Sequence, residues 1–443
     1  MGNSPVIRLR HLFMMWLCVP LVSSGGVEET AAPEGPTAQK GLLAHVGDPE
    51  NGWITTSLAY LNDAGCRFAE DRAPARVGDK WGYIDAAGRM VVPPQFDWAC
   101  TFSEGLAAVN VGGKRGEAGR IEGGKWGYVD KMGAPVVTPQ FVWADPFVDG
   151  LARVQTMGLK HIVSPSQGTE LGSQWGVIDK TGTFVVKPTL KWAEPFSEGL
   201  AAVLLGGKWG YVDHTGTTVI APQFVDAWRF HEGRARVQLE DGWTYIDKAG
   251  EVIGEARYTE ARDFREGVGG VRIDVKCGYV RADASMAIPC RFDRVREFSE
   301  GLAPVRLSRR WGFIDRTGRL TVPARYVSAF GFSEGLAAVS EGSRRLRREG
   351  SGKTGPAVKW GFIDKTGRSV VPMRYDEVGE FREGLAAVKQ NGRYGYVDRT
   401  GKMVIEAGFS EAFSFADGLA RVSIAGRMAY INRQGGTVWK SPK

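Results

Sequence analysis

The stretch Lys208-Trp209-Gly210-Tyr211-Val212-Asp213-His214-Thr215-Gly216, continued by Val219-Ile220-Ala221-Pro222-Gln223-Phe224, decides how this chain is built. Trp209, Tyr211 and Asp213 alternate with Gly210 and Val212, which puts the two sets on opposite faces of a strand. Asp213-His214-Thr215-Gly216 is turn chemistry, because Asp accepts bonds from nearby amides and Gly takes positive φ. Val219 to Pro222 then reads as a returning strand. Phe230 to Gly233 and Ala235-Arg236-Val237 complete the phrase.

The phrase recurs. Its Trp column falls at Trp81, Trp126, Trp175, Trp209, Trp243, Cys277, Trp311, Trp360 and Tyr394, and Met428 opens a shortened last copy. Successive spacings are 45, 49, 34, 34, 34, 34, 49, 34 and 34, a period of 34 with insertions of 11, 15 and 15. Each insertion lies between a Leu-Ala-x-Val strand and the next aromatic position: Val109 to Trp126, Val154 to Trp175, Val339 to Trp360. Insertions confined to one repeat position mark one loop type on one edge of an array. A period of 34 also suits helix pairs, but Val, Ile, Tyr, Phe and Trp crowd these runs and Gly and Pro punctuate them, which favours strands.

The expected fold is therefore all-β: about ten three-stranded antiparallel meanders in tandem. The strands are of the Leu106–Val109, Trp209–Asp213 and Val219–Pro222 kinds. One meander cannot bury its apolar face alone. Stacked copies can, with Trp81, Trp126, Trp175, Trp209, Trp243, Trp311 and Trp360 as the structural core. Each indole hides about 150–250 Å², roughly 4–6 kcal/mol gross as an upper bound. An elongated twisted stack is expected over a β-propeller-like closure, because ten units exceed the usual blade number and three strands fall short of the usual four.

These residues resemble the WG (KWG) repeat of bacterial proteins. The phrase Lys-Trp-Gly-Tyr-Ile/Val-Asp-x-x-Gly, with Pro-x-Phe and Phe-x-Glu-Gly-Leu-Ala-x-Val behind it, covers about residues 68–436. The resemblance implies a β-rich repeat module with no assigned enzymatic chemistry. Cys277, Tyr394 and Met428 depart from the Trp column, and Thr244 stands where the phrase has Gly. Repeats five and six are accordingly expected to be a weak or kinked point.

The chain has 443 residues, 60 of them Gly, and a formal net charge of +7 spread along its length, which favours an anionic partner only weakly. Arg8, Arg10 and His11 precede an apolar run from Leu12 to Val22 and the small residues Ser23-Ser24-Gly25, the pattern of a signal peptide. The expected organisation is signal peptide 1–24, flexible linker 25–50, partial capping repeat 51–79, nine WG-type repeats 80–426 and a shortened capping repeat 427–443. Beyond the signal segment no stretch is apolar enough to span a membrane. The expected location is secreted or periplasmic.

Comparison among copies separates packing from surface. Four residues before the Phe of Phe-x-Glu-Gly the column varies: Trp98, Trp143, Trp192, Asp226, Glu260, Arg294, Ser328, Glu377 and Glu411. Polar occupants argue for exposure, so Trp98, Trp143 and Trp192 form a candidate aromatic binding stripe for sugar rings or a protein's apolar anchor. The alternative is a local cover beside the long loops. A second candidate is a basic loop, Arg344, Arg345, Arg347, Arg348 and Lys353, with Arg309 and Arg310 nearby. Gly352-Lys353-Thr354 is no phosphate-binding loop: Arg347 occupies the first glycine position and Pro356 blocks the helix.

The Asp column (Asp85, Asp130, Asp179, Asp213, Asp247, Asp315, Asp364, Asp398) reads as turn stabilisation. The Glu of Phe-x-Glu-Gly (Glu104, Glu198, Glu232, Glu266, Glu300, Glu334, Glu383) recurs too regularly to be catalytic, since an acid–base pair needs two distinct environments. The mature histidines show no metal-ligand spacing, and no cofactor is expected. Cys66 and Cys100 share a repeat position. Pairing Arg281 with Met286 would set Cys277 opposite Cys290. Both pairs are candidate disulfides.

The expected function is a non-enzymatic exported scaffold that binds protein or polysaccharide at the cell envelope, with no nucleic-acid partner. The alternatives are an envelope-glycan-active enzyme using the Trp stripe as a subsite, and a structural spacer.

Overall fold

The computed structural model describes residues 67–115, 121–157, 174–342 and 358–442. Among them there is no helix, and the strands form ten antiparallel sheets, each built from strands consecutive in the chain. The unit has four strands where three were expected. The extra one precedes the meander and is two residues long except in blades 6 and 8, where it runs Glu260–Arg265 and Ser328–Ser333; in blade 2 the order is Trp98–Ala99, Ala107–Arg115, Ile121–Val129, Pro135–Phe141. Two residues flanked by loop chemistry leave no period-two pattern to read.

Blade 1 shows three strands, Ala73–Val77, Lys80–Ile84 and Met90–Phe96. Blades 3 to 10 open at Trp143, Trp192, Asp226, Glu260, Arg294, Ser328, Glu377 and Glu411. The described residues of the two expected capping repeats, 67–79 and 427–442, bring strands to blades 1 and 10. Residues 1–50, with the expected signal peptide and linker, lie outside the described residues.

The ten blades close into a ring, a ten-bladed β-propeller, so the alternative closure is the one found and the elongated stack is corrected. Blade 10 meets blade 1 through contacts of the kind that join other neighbours. A Cβ on Gly88 would lie 2.2 Å from the Val438 carbonyl oxygen, as one on Gly216 would lie 2.4 Å from that of Val185. Leu419 and Tyr430 share a buried cluster with Phe68, Ala73, Ala75 and Ile84. The Tyr430 hydroxyl donates to Pro74 O at 3.0 Å and Ser441 Oγ to Arg76 O at 2.7 Å. No sheet crosses this junction. A head-to-tail contact repeated at constant rotation yields a ring when the rotation closes, and ten units here complete the turn.

The glycine after the Trp column lets the fourth strand bulge across the third. At Gly210 an added Cβ would stand 2.5 Å from Ile220 O, and the register shifts on both sides of Tyr211. The recurrent prolines sit in this fourth strand, a sheet edge, where a missing N–H is tolerated and deters pairing with other chains. Thr244 replaces that glycine in blade 5. There the shift falls in one place, between Trp243 and Tyr245, and Trp243 is only half-buried.

The core is the aromatic column. Trp81, Trp126, Trp175, Trp209, Trp311 and Trp360 are buried, as are Cys277 and Tyr394 in the same position. The tyrosine two residues on carries the blade-to-blade bond. Tyr83, Tyr128, Tyr211, Tyr245, Tyr279 and Tyr396 each donate to a carbonyl in the first-strand segment of the next blade, at 2.6–2.8 Å.

The Cys277–Cys290 bridge is corrected. The bulge sets Phe292 opposite Cys277 and Met286 opposite Val280. Cys277 packs with Val295 and Phe298 of blade 7, whereas Cys290 packs on the Tyr245–Tyr258 cluster of blade 5. Both are free thiols, and burial pushes each up in pKa. Cys66 of the other pair lies outside the described residues.

Candidate functional site

Strand order gives the ring two unlike faces. The first-to-second and third-to-fourth turns leave at one end of each blade. The second-to-third connections, which carry all three insertions, and the links between blades leave at the other.

The first of these faces is closed by its own hydrogen bonds. Each Phe-x-Glu-Gly tip is a tight turn with Glu at positive φ, 53° at Glu104, a conformation uncommon for a side-chain-bearing residue. The Glu carboxylate accepts the N–H of the equivalent Gly on the next blade. The distance is 2.9 Å from Glu104 to Gly150, 2.9 Å from Glu198 to Gly233, 3.1 Å from Glu266 to Gly301, 3.1 Å from Glu300 to Gly335, 2.8 Å from Glu334 to Gly384 and 3.0 Å from Glu383 to Gly418. Glu232 accepts from both Glu266 and Gly267 at 2.7 Å. Lys180, Lys248 and Arg399 reinforce Glu104, Glu198 and Glu334 at 3.1, 3.3 and 2.8 Å. Burial raises these three carboxyls, but the hydrogen bonds and cations outweigh it and hold them below the usual glutamate value. Asp149 and Asp417 occupy the same position one methylene shorter, and among the described residues neither makes the bond.

The Asp column works inside its own turns. Asp213 Oδ1 accepts Thr215 N–H at 2.8 Å, Thr217 N–H at 3.0 Å and Thr215 Oγ1 at 2.6 Å. Both repeated acids are therefore occupied by the scaffold.

The variable column opens the first strand of blades 2 to 10, on the insertion-bearing face. Trp98, Trp143 and Trp192 are half-buried there rather than exposed. Each lies on the core indole of the preceding blade: Trp98 on Trp81 at 5.1 Å, Trp143 on Trp126 at 5.0 Å, Trp192 on Trp175 at 5.1 Å between ring centroids. Each also joins the buried clusters of two neighbouring blades.

Asp145, Arg153 and Glu194 were missed from the sequence, because most copies fill their positions with unlike residues and only folding brings them to the indoles. Trp143 Nε1 donates to Asp145 Oδ1 at 2.7 Å and Trp192 Nε1 to Glu194 Oε1 at 2.9 Å. Arg153 donates to Asp145 Oδ2 through Nε at 2.7 Å and also donates to the Ala193 carbonyl. Its guanidinium lies 5.2 Å from the Trp175 ring centre and 5.8 Å from that of Trp192. Asp145, Arg153 and Glu194 are 7%, 4% and 9% exposed. Two acids beside the Trp stripe have the outline of a glycosidase pair. Each nevertheless spends an oxygen on an indole N–H, Asp145 is also ion-paired, and a general acid must reach its substrate.

What this arc exposes is apolar and basic. Val111 is 42% exposed, Met157 66% and Val225 39%. Val111 pairs with Lys125 across the blade 2 hairpin, and Lys125 Nζ reaches Met157 Sδ at 3.7 Å. The basic-loop candidates Arg344, Arg345, Arg347, Arg348 and Lys353 lie outside the described residues. Arg309 and Arg310 stand in the second-to-third turn of blade 7 on this same face. Among the described residues, no three His, Cys, Asp or Glu side chains converge as metal ligands, and no helix is long and apolar enough to cross a membrane.

No curated protein matches the chain. Solved structures resemble it weakly. A eukaryotic initiation factor is 12% identical over 84% of this chain and 96% of its own, with a TM-score of 0.48. Hsv2p of Kluyveromyces lactis is 8% identical over 56% and 96%, with a TM-score of 0.32. Neither likeness bears on function. The model of the WG containing repeat matches nine times, at residues 81–114, 126–158, 175–209, 209–243, 243–277, 278–308, 311–344, 360–394 and 394–427. Most of the chain is thus accounted for by one repeated unit, and the protein belongs to the WG-repeat family.

Proposed function

We propose that this propeller is a non-enzymatic scaffold, exported to the cell envelope or beyond, that binds a protein partner on its insertion-bearing face. The observation that carries the reading is the arc over blades 2 to 4. A floor of half-buried indoles is pinned by Asp145 and Glu194, and Val111, Met157 and Val225 stand exposed on the same face. Exposed apolar side chains around rigid aromatics are the makings of a protein interface. A sugar subsite is less favoured, since stacking needs a free indole face and these rings lie against their neighbours. The non-enzymatic reading is supported by the occupation of both repeated acids in turns and clasps.

Capture from envelope extract tests it, with the full chain and Met157→Glu immobilised in parallel. The expected result is a protein retained by the wild type and lost by the variant. Equal capture by both removes the assignment of this face. Export is tested by sequencing the N-terminus of the extracytoplasmic protein, which should begin near residue 25; recovery of the intact chain in the cytoplasm alone removes it.

A further inference from the structure

The same array records where its own cations are neutralised and where they are not. The lysine of the Lys-Trp-Gly phrase opens the third strand, and in three blades it meets an Asp in the link to the next blade: Lys80–Asp97 at 2.6 Å, Lys276–Asp293 at 2.6 Å, Lys359–Asp376 at 2.5 Å. In the links before Trp143 and Trp192, as in some others, that counter-charge is absent. Opposite Lys125 the linking residue is Val142, and after blade 3 it is Lys191, itself a cation. Among the described residues Lys125 approaches only the Met157 thioether, and Lys191 is exposed without an ion pair. Lys114 and Arg115 add exposed charge on the long hairpin of blade 2, with Glu122 opposite Lys114 as the one acid among the described residues of that hairpin. Lys208, the next cation along, is held by Glu240 at 2.6 Å and bounds the patch.

Cations released from their partners therefore coincide with the exposed apolar side chains Val111 and Met157. An interface usually matches charge of opposite sign and sheds charge at its apolar centre. Resting on the reading of this face as a protein-binding surface, we infer that the partner segment is acidic and apolar together. Its carboxylates meet Lys114, Arg115, Lys125 and Lys191, and its aliphatic side chains cover Val111 and Met157.

The test uses the full chain and a labelled peptide of alternating glutamate and leucine. Alternating lysine–leucine, polyglutamate and a sulfated polysaccharide serve as comparison ligands. The glutamate–leucine peptide should bind, should weaken as salt rises, and should bind about tenfold more weakly to Lys125→Glu/Lys191→Glu, a loss of about 1.4 kcal/mol. Lys125→Gln/Lys191→Gln, which adds no acid, should show a smaller loss in the same direction should the reversal impair folding. Polyglutamate should bind less well than glutamate–leucine, because it leaves Met157 uncovered. The inference falls if neither lysine variant changes affinity, if lysine–leucine binds as well, or if the sulfated polysaccharide binds and the peptide does not. If Met157→Glu abolishes capture of the envelope partner while the lysine variants bind peptide like wild type, the protein-binding face stands and its acidic partner does not.

Discussion

Blades 2 to 4 and blades 6 to 9 fill one backbone position with opposite chemistry. At Trp98, Trp143 and Trp192 the side chain crosses to the preceding blade and lies on its core indole. At Glu260 and Glu377 it turns inward, to Arg272 at 2.8 Å and Lys389 at 2.8 Å within the same blade. The propeller closes either way, so the position is not needed to build the ring. A repeat can thus load a few copies of this position with tryptophan while others, such as Glu260 and Glu377, carry an ion pair there.

Four experiments break or sharpen that contrast. The largest effect belongs to a residue both arcs share in kind: Trp209→Ala, at a fully buried core site, should lose about 3–5 kcal/mol in denaturant unfolding, and so should Trp311→Ala. Asp145→Ala comes next. It strands Arg153 in the core and should lose about 3–5 kcal/mol, whereas Glu260→Ala at a half-exposed pair should lose about 1 kcal/mol or less. Equal losses would erase the distinction between the arcs. Trp143→Ala should cost about 2–4 kcal/mol, because the ring lies on Trp126 and fills two clusters; an unchanged melting temperature would return Trp143 to the role of a free contact residue.

The smallest effect is on the opposite face and is read by pH. Glu334 is held below the usual value, so its contribution is fully present above about pH 4.5, where the unfolded carboxyl is ionised, and is lost as pH falls through its lower folded value. Glu334→Gln should therefore lower stability by about 1 kcal/mol at neutral pH and lose stability less steeply on acidification. Parallel acid titrations of wild type and variant would show the clasp to be idle.

Much of this was legible in the residues. Trp209, Gly210 and Tyr211 announce a strand, Asp213 to Gly216 a turn, and the count of 34 an array, because each is a local demand of backbone geometry or burial repeated many times. The acids of Phe-x-Glu-Gly could be read as structural from recurrence, though their reach to the next blade could not. The Trp stripe was read as exposed because its neighbours in the column are polar. A column shared by Ser328 and Trp143 says nothing about where a long side chain leans, and here it leans onto the preceding blade's core.

What the chain determined by itself was the unit, its number and its turns, since alternation, glycine placement and period are written in consecutive residues. Closure, the short first strand, the opposite outlook of Cys277 and Cys290 and the meeting of Arg153 with Asp145 and two indoles were decided only in three dimensions. They depend on a small rotation between neighbours and on a bulge that resets register, quantities no single repeat contains.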